Sequence, residues 1–216
     1  MAIEKEMRFF FSESKKRHLW QKLSEQFRYR NSFYEKTTMY DNPNPKLTFY
    51  SAKIDGRLRL RLSNEVAENG VEKSRGKNRC LVTWKQRLAM GRKGAIRKEL
   101  EYEFNVNPEG AQNVIYILET VLCCPRIESY ERIRHFFIGK DIEITLDEFP
   151  FGLMLEFELK KSTSEKKLLE TVKKFGLNKN HASKNSCDDM YKQLCREHGI
   201  KPLPDIMFED GTMPKA

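Results

Sequence analysis

The sequence predicts an α+β fold built on about eight β-strands, with helical segments between and after them. Three observations predict it. Segment after segment alternates apolar and charged residues with period two, the pattern of a pleated strand with one buried face. Apolar stripes at helical spacing fall between those segments. The hydrophobic fraction, 39% with 14 Phe and 8 Tyr in 216 residues, is large enough to fill a core despite 33% charge.

The first strand spans about Ile3–Phe11, with Glu4, Glu6 and Arg8 on one face and Ile3, Met7, Phe9 and Phe11 on the other. Ser12 or Ser14 can cap a following helix whose stripe is Leu19, Trp20, Leu23 and Phe27. A second strand ends at Asp41, before the proline-rich turn Asn42-Pro43-Asn44-Pro45. Arg57, Arg59 and Arg61 alternate with Leu58, Leu60 and Leu62 in a third. Residues 63–79 read as a flexible basic loop. A fourth strand, 80–87, carries Lys85 and Arg87 on one face, and after a Gly91–Gly94 turn a fifth carries Arg97, Glu99, Glu101 and Glu103.

Asn107-Pro108-Glu109 opens a helix running to about Leu122, ended by Pro125. Strands at 127–137, with Arg132 and Arg134, and at 140–147, with Asp141, Glu143 and Asp147, come next. The last strand, 153–160, sets Glu156, Glu158 and Lys160 against Leu153, Leu155, Phe157 and Leu159. Ser162-x-x-Glu165 and Ser186-x-x-Asp189 are capping-box patterns for two closing helices. Residues 1–200 read as a single domain and 201–216 as a loosely held tail.

Lys plus Arg exceed Asp plus Glu by nine, an excess that attracts polyanions. No apolar run is long enough to span a bilayer and the N-terminus carries no secretory pattern, so a cytoplasmic protein with no membrane partner is expected. Five cysteines, two of them adjacent, speak for free thiols. Cys187, Cys195, His198 and His181 lack the spacing of a zinc site. No heptad or exposed apolar face stands out by which to read an oligomeric state.

The charged faces allow two architectures. A twisted sheet could turn them to solvent. Alternatively the strands close, apolar faces outward under the helices, and ten basic side chains face ten acidic ones across a wet lumen. A dry core of that composition would cost several kcal/mol per unpaired ion. The row Arg57, Arg59, Arg61 favours closure, because a solvated strand gains by mixing signs. Guanidinium groups opposite carboxylates suit a polyphosphate and its divalent metals.

The ordered motifs resemble the CYTH domain, or triphosphate tunnel metalloenzyme, family. Glu4-Lys5-Glu6-Met7-Arg8 is similar to its Glu-x-Glu-x-Lys signature; Asp41-x-Pro43, Leu58-Arg59-Leu60-Arg61, Thr83-Trp84-Lys85, Arg97-x-Glu99-x-Glu101, Arg132-x-Arg134, Leu146-Asp147, Phe151-Gly152 and Glu156-x-Glu158 follow in order. The resemblance implies a closed eight-stranded antiparallel β-barrel with helices packed outside, and Mg²⁺- or Mn²⁺-dependent chemistry on a triphosphate. It implies metal ligation by Glu4, Glu6, Glu156 and Glu158, with Asp147 and Glu99 or Glu101. It implies phosphate binding by Arg59, Arg61, Lys85, Arg132 and Arg134; Arg57 and Arg8 share their face. Lys85 with Glu4 and Glu6 would carry the chemistry. One departure is Met39, where many members have a Tyr that works with the lysine; Tyr40 falls on the opposite face. The expected activity is hydrolysis of tripolyphosphate or an organic triphosphate, with a class IV adenylyl cyclase, an RNA 5′-triphosphatase and a non-catalytic polyphosphate- or nucleotide-binding module as alternatives.

Overall fold

Strand alternation closes on itself. In the computed structural model, which describes residues 2–51, 54–74, 76–88, 95–160, 164–209 and 214, eight antiparallel strands form a barrel. They are β1 (Ala2–Phe11), β2 (Arg28–Tyr40), β3 (Gly56–Val66), β4 (Asn78–Arg87), β5 (Arg97–Val106), β6 (Arg126–Ile138), β7 (Ile142–Phe149) and β8 (Gly152–Leu159). Around the barrel they run β2-β3-β4-β5-β1-β8-β7-β6, and pairing of β6 with β2 completes the circle. A closed sheet leaves no edge, and its interior side chains alternate with exterior ones on every strand.

That alternation sends the acidic and basic residues inward and the aliphatic ones out. On β1 and β8, Glu6 faces Glu158 and Arg8 faces Glu156 across the ladder, while Met7 sits opposite Phe157 and Phe9 opposite Leu155. The outer face is buried where helices cover it. The stripe Leu19 and Leu23 of α1 (Lys16–Gln26), with Leu168 and Val172 of α3 (Glu165–Lys174), packs onto Met7, Phe9, Phe137, Ile144, Leu155 and Phe157. Each such buried side chain contributes about 1.5–3 kcal/mol of transfer free energy. α2 (Ala111–Tyr116), extended by a wider turn at Ile117–Val121, seats Ala111 and Leu118 on Tyr40, Leu60 and Val82.

α4 (Cys187–Glu197) does something else. Its Tyr191, Leu194 and Cys195 pack on Tyr130, Phe149, Phe151 and Met154 at one end of the barrel, so its N-terminus lies over that mouth. Ser186 and Asp189 form the expected capping box there. Gly56 opens β3 beside the same mouth, where an added Cβ would lie 2.3 Å from the Trp84 ring.

Several expectations are adjusted. β2 begins at Arg28, nine residues before Thr37, where the alternation first becomes legible, and a bulge between Tyr29 and Asn31 explains why the earlier pattern is blurred. Ser164 occupies the N-cap position of α3; Ser162 lies outside the described residues, as do Gly91–Gly94. Part of the segment read as a loose tail is tied down: Asp205–Ile206 pairs parallel with Ser129–Tyr130, and the Leu203 amide donates to the Tyr191 hydroxyl. All five cysteines are free thiols. No helix among the described residues is long and apolar enough to cross a membrane.

Candidate functional site: a charged lumen

The lumen holds its charges in two differently satisfied halves. On the β6–β7–β8 side the guanidinium groups already have partners. Arg134 donates from Nε and Nη2 to the two oxygens of Asp147, both at 2.6 Å. Arg132 bridges Asp147 (3.0 Å) and Glu35 (2.7 Å), and Arg8 spans Glu156 and Glu6 (2.7 Å to the latter). Burial alone would raise the carboxyls here. The arginines outweigh it: Arg132 and Arg61 hold Glu35 down at about 2, and Arg8 and Arg134 keep Glu156 below its usual range.

The β3–β4 side is different. Among the described residues, Arg57 Nη2, Arg59 Nε and Nη2, and Arg87 Nε and Nη2 are buried donors without a hydrogen-bond acceptor, with only looser ion pairs at 3.8 Å from Arg59 to Glu101 and from Arg87 to Asp55 and Glu99. Such groups cost roughly 1–3 kcal/mol each when left unpaired, and more when charged. Arg57 is steadied by Asp55 (3.2 Å) and lies 4.9 Å from the Tyr50 ring centroid. The loop carrying Tyr50 is fixed by Asp41, whose carboxylate accepts from Thr48 Oγ1, from the amides of Phe49 and Tyr50, and from that of Asn42.

Opposite that wall, Glu4, Glu6 and Glu99 place carboxylate oxygens within 4.8 Å of one another. Glu6 is fully buried and its Oε2 has no hydrogen-bond partner. Burial pushes Glu6 up to about 7, only partly offset by Arg8, and Glu158 up to about 8 with help from Glu156. Glu4 and Glu101 flank one ammonium, Lys85 Nζ, at 2.6 and 3.1 Å. Burial and its hydrogen bond to Glu101 send Glu4 up to about 9 while Glu101 goes down, so the pair shares a proton between them. Burial would lower Lys85, but Glu4 and Glu101 raise it, so it is held as a cation. Two buried carboxylates and one half-buried, with an orphaned oxygen among them, are a donor set that fits a hard divalent cation such as Mg²⁺ or Mn²⁺.

The residues singled out in the sequence therefore share one lumen but not one state. Glu4, Glu6, Glu99, Glu101, Glu158 and Lys85 converge, and Arg57 and Arg59 face them with part of their guanidinium donors not hydrogen-bonded: Arg57 is held by Asp55 and Arg59 lies 3.8 Å from Glu101. Asp147, Glu156, Arg8, Arg61, Arg132 and Arg134 form the paired network. Three of the expected lumen charges are placed differently. Glu103 is exposed at the rim, Asp141 precedes β7 and lies outside the barrel beside Phe27, Lys167 and Lys174, and Lys160 turns out to donate to the Gly139 carbonyl at 2.7 Å. Reading β2 only from Thr37 missed Glu35, which anchors Arg132 and Arg61; continuing the odd-numbered face through Thr37 and Met39 back to it was the available signal. Met39 itself lines the mouth, with Cys187 and Asp188 of α4, and Tyr40 packs outside on α2.

No family model matches the chain, and no curated protein matches it in sequence. Solved structures do match. A Pyrococcus horikoshii protein superposes with a TM-score of 0.65 at 18% identity, over 88% of this chain and 98% of its own. A Hippeastrum protein for which a dominant triphosphatase activity is described gives 0.57 at 17%, over 94% and 98%. The chain has the triphosphate tunnel fold. The same tunnel architecture also matches part of the Schizosaccharomyces pombe Mediator head module, at TM-score 0.55 and 8% identity, over 81% of this chain and 96% of that one. Fold and function are separable, so the tunnel's own side chains must carry the functional argument.

Proposed function

We propose that this tunnel binds the triphosphate group of a small molecule and, with Mg²⁺ or Mn²⁺, hydrolyses its terminal phosphate. The observation that carries the reading is the pairing of opposites left unsatisfied: buried guanidinium donors of Arg57, Arg59 and Arg87 on one wall, and the orphaned Glu6 oxygen with Glu4 and Glu99 on the other. An anion bearing a divalent cation satisfies both at once. Arg57 and Arg59 would take phosphate oxygens, Arg59 bidentately through Nε and Nη2. Glu4, Glu6 and Glu99 would hold the metal, which supplies charge neutralisation and polarisation of a phosphoryl oxygen. Lys85, kept protonated by Glu4 and Glu101, acts as a fixed positive charge facing the developing charge of the leaving group rather than as a base. Arg132 and Arg134, already committed to Glu35 and Asp147, hold the tunnel's shape.

A second reading, a binding module without turnover, is favoured by Met39. Its thioether stands in the lumen where the resemblance leads one to expect a tyrosine hydroxyl beside the lysine. Phosphate release from tripolyphosphate, ATP, GTP, thiamine triphosphate and triphosphorylated RNA, with each metal and with an Arg59→Ala control, separates the two readings. Metal-dependent release that Arg59→Ala abolishes supports hydrolysis. Metal-dependent affinity without release supports the binding module. Cyclic AMP formed from ATP would instead support a cyclase.

A further inference from the structure

We infer that the outer face of β4–β5–β1, together with the outward side of α2, is a self-association surface for a second copy of this chain. Among the described residues, the helices that cover the barrel's outside leave β5 and the start of β1 uncovered, while on β4 Cys80 and Val82 lie under α2 and Trp84 packs on Phe49. Leu100 pairs with Ile3, Tyr102 with Trp84 and Phe104 with Val82 on that outer face. Val82 is buried under α2, whereas its neighbour Phe104 is 58% exposed, Tyr102 49% and Ile3 50%.

The helix beside it continues the surface. Residues 114–122 read Val-Ile-Tyr-Ile-Leu-Glu-Thr-Val-Leu, with seven apolar residues around an exposed Glu119 and Thr120. Its inner side seats Leu118 on the barrel, yet Tyr116 (62%), Ile117 (48%) and Val121 (62%) face outward. Scattered exposed apolar residues are ordinary, but a contiguous run from a sheet face onto a neighbouring helix marks an interaction site.

Two properties choose the occupant. The six side chains present on the order of 600 Å² of surface, which approaches the roughly 800 Å² each partner contributes to a stable interface. Two molecules of charge +9 repel at any face that carries the excess. This face does not carry it: its bordering lysines, Lys5 and Lys98, are both engaged by Glu165, at 3.1 and 2.8 Å. A closed barrel offers no strand edge for pairing, so contact has to be made through side chains, and two aromatic rings beside a helix supply the anchors.

The test is sedimentation velocity and light scattering of the full chain from 1 to 100 μM at physiological salt. The expected result is a concentration-dependent dimer. Phe104→Glu and, separately, Val121→Lys should each raise its dissociation constant by about 30-fold or more. Leu47→Glu, an apolar residue elsewhere that is as exposed as Phe104, should leave it unchanged. Circular dichroism and thermal melting of each variant confirm that it folds, and the two face variants, on different elements, check one another. A wild-type monomer throughout that range, or a dimer that both face variants leave intact, overturns the proposal. So does a monomer that uses this face to bind neutral lipid vesicles instead.

Discussion

Glu6→Gln isolates the cost of the tunnel's acidic cluster. Glu6 is wholly buried and its carboxyl is pushed up from 4.5 to about 7. A carboxyl whose folded value lies above its unfolded one binds more protons when folded. Its destabilising effect therefore grows as pH rises from the unfolded value to the folded one and stays constant above it. With the shift about 2.5 units wide, the ionised group opposes folding by on the order of 3 kcal/mol at pH 8 and by little at pH 5. Gln mimics the protonated carboxyl, and the arginines beside it keep other partners, Arg97 with Glu99 and Arg8 with Glu156. In chelator-treated protein, Glu6→Gln should raise the melting temperature at pH 8 by roughly 6–12 °C and leave it nearly unchanged at pH 5. Adding Mn²⁺ should stabilise wild type and not the variant. A variant destabilised equally at both pH values, or one that Mn²⁺ stabilises as well as wild type, refutes the reasoning.

Other substitutions separate the two halves of the lumen. Arg132→Ala leaves Glu35 and Asp147 buried without their shared partner and should cost about 3–5 kcal/mol in urea unfolding. Arg59→Ala removes donors without a hydrogen-bond acceptor and one loose ion pair, to Glu101 at 3.8 Å, so it should leave stability within about 1 kcal/mol while weakening tripolyphosphate binding by calorimetry about 30-fold or more. Met39→Tyr places a hydroxyl in the lumen near Lys85. If catalysis is limited by that missing group, turnover of tripolyphosphate rises with little change in KM; an unchanged rate shows that Met39 is compatible with full activity.

Strand-borne features were legible because period two is written residue by residue: Glu4 and Glu6, Arg57 to Arg61, and Glu156 and Glu158 each sort to one face wherever the strand lies. Closure was legible only as an alternative to a solvated sheet, and the resemblance leaned the same way; the β2–β6 register that completes the circle depends on contacts some hundred residues apart. Glu35 is legible by carrying the odd-numbered face of Thr37 and Met39 back two residues, in unbroken register, and a strand read only from Thr37 misses it. Sequence pattern also assigns like roles to like residues. It could not separate Arg132, hydrogen-bonded to Glu35 and Asp147, from Arg59, whose Nε and Nη2 find no hydrogen-bond acceptor among the described residues, because that difference arises from packing across the lumen. The same holds for α4: its amphipathic stripe is plain, but nothing local says that its N-terminus sits over the tunnel mouth.

Phosphate release by purified wild-type protein from tripolyphosphate and the organic triphosphates, measured with Mg²⁺ and with Mn²⁺ beside Arg59→Ala and a Glu4→Gln/Glu6→Gln double variant, bears most directly on the central claim. Metal-dependent release that both variants lose, while both stay folded, is the predicted result. Neither release nor metal-dependent binding of any triphosphate by the folded wild type would contradict it.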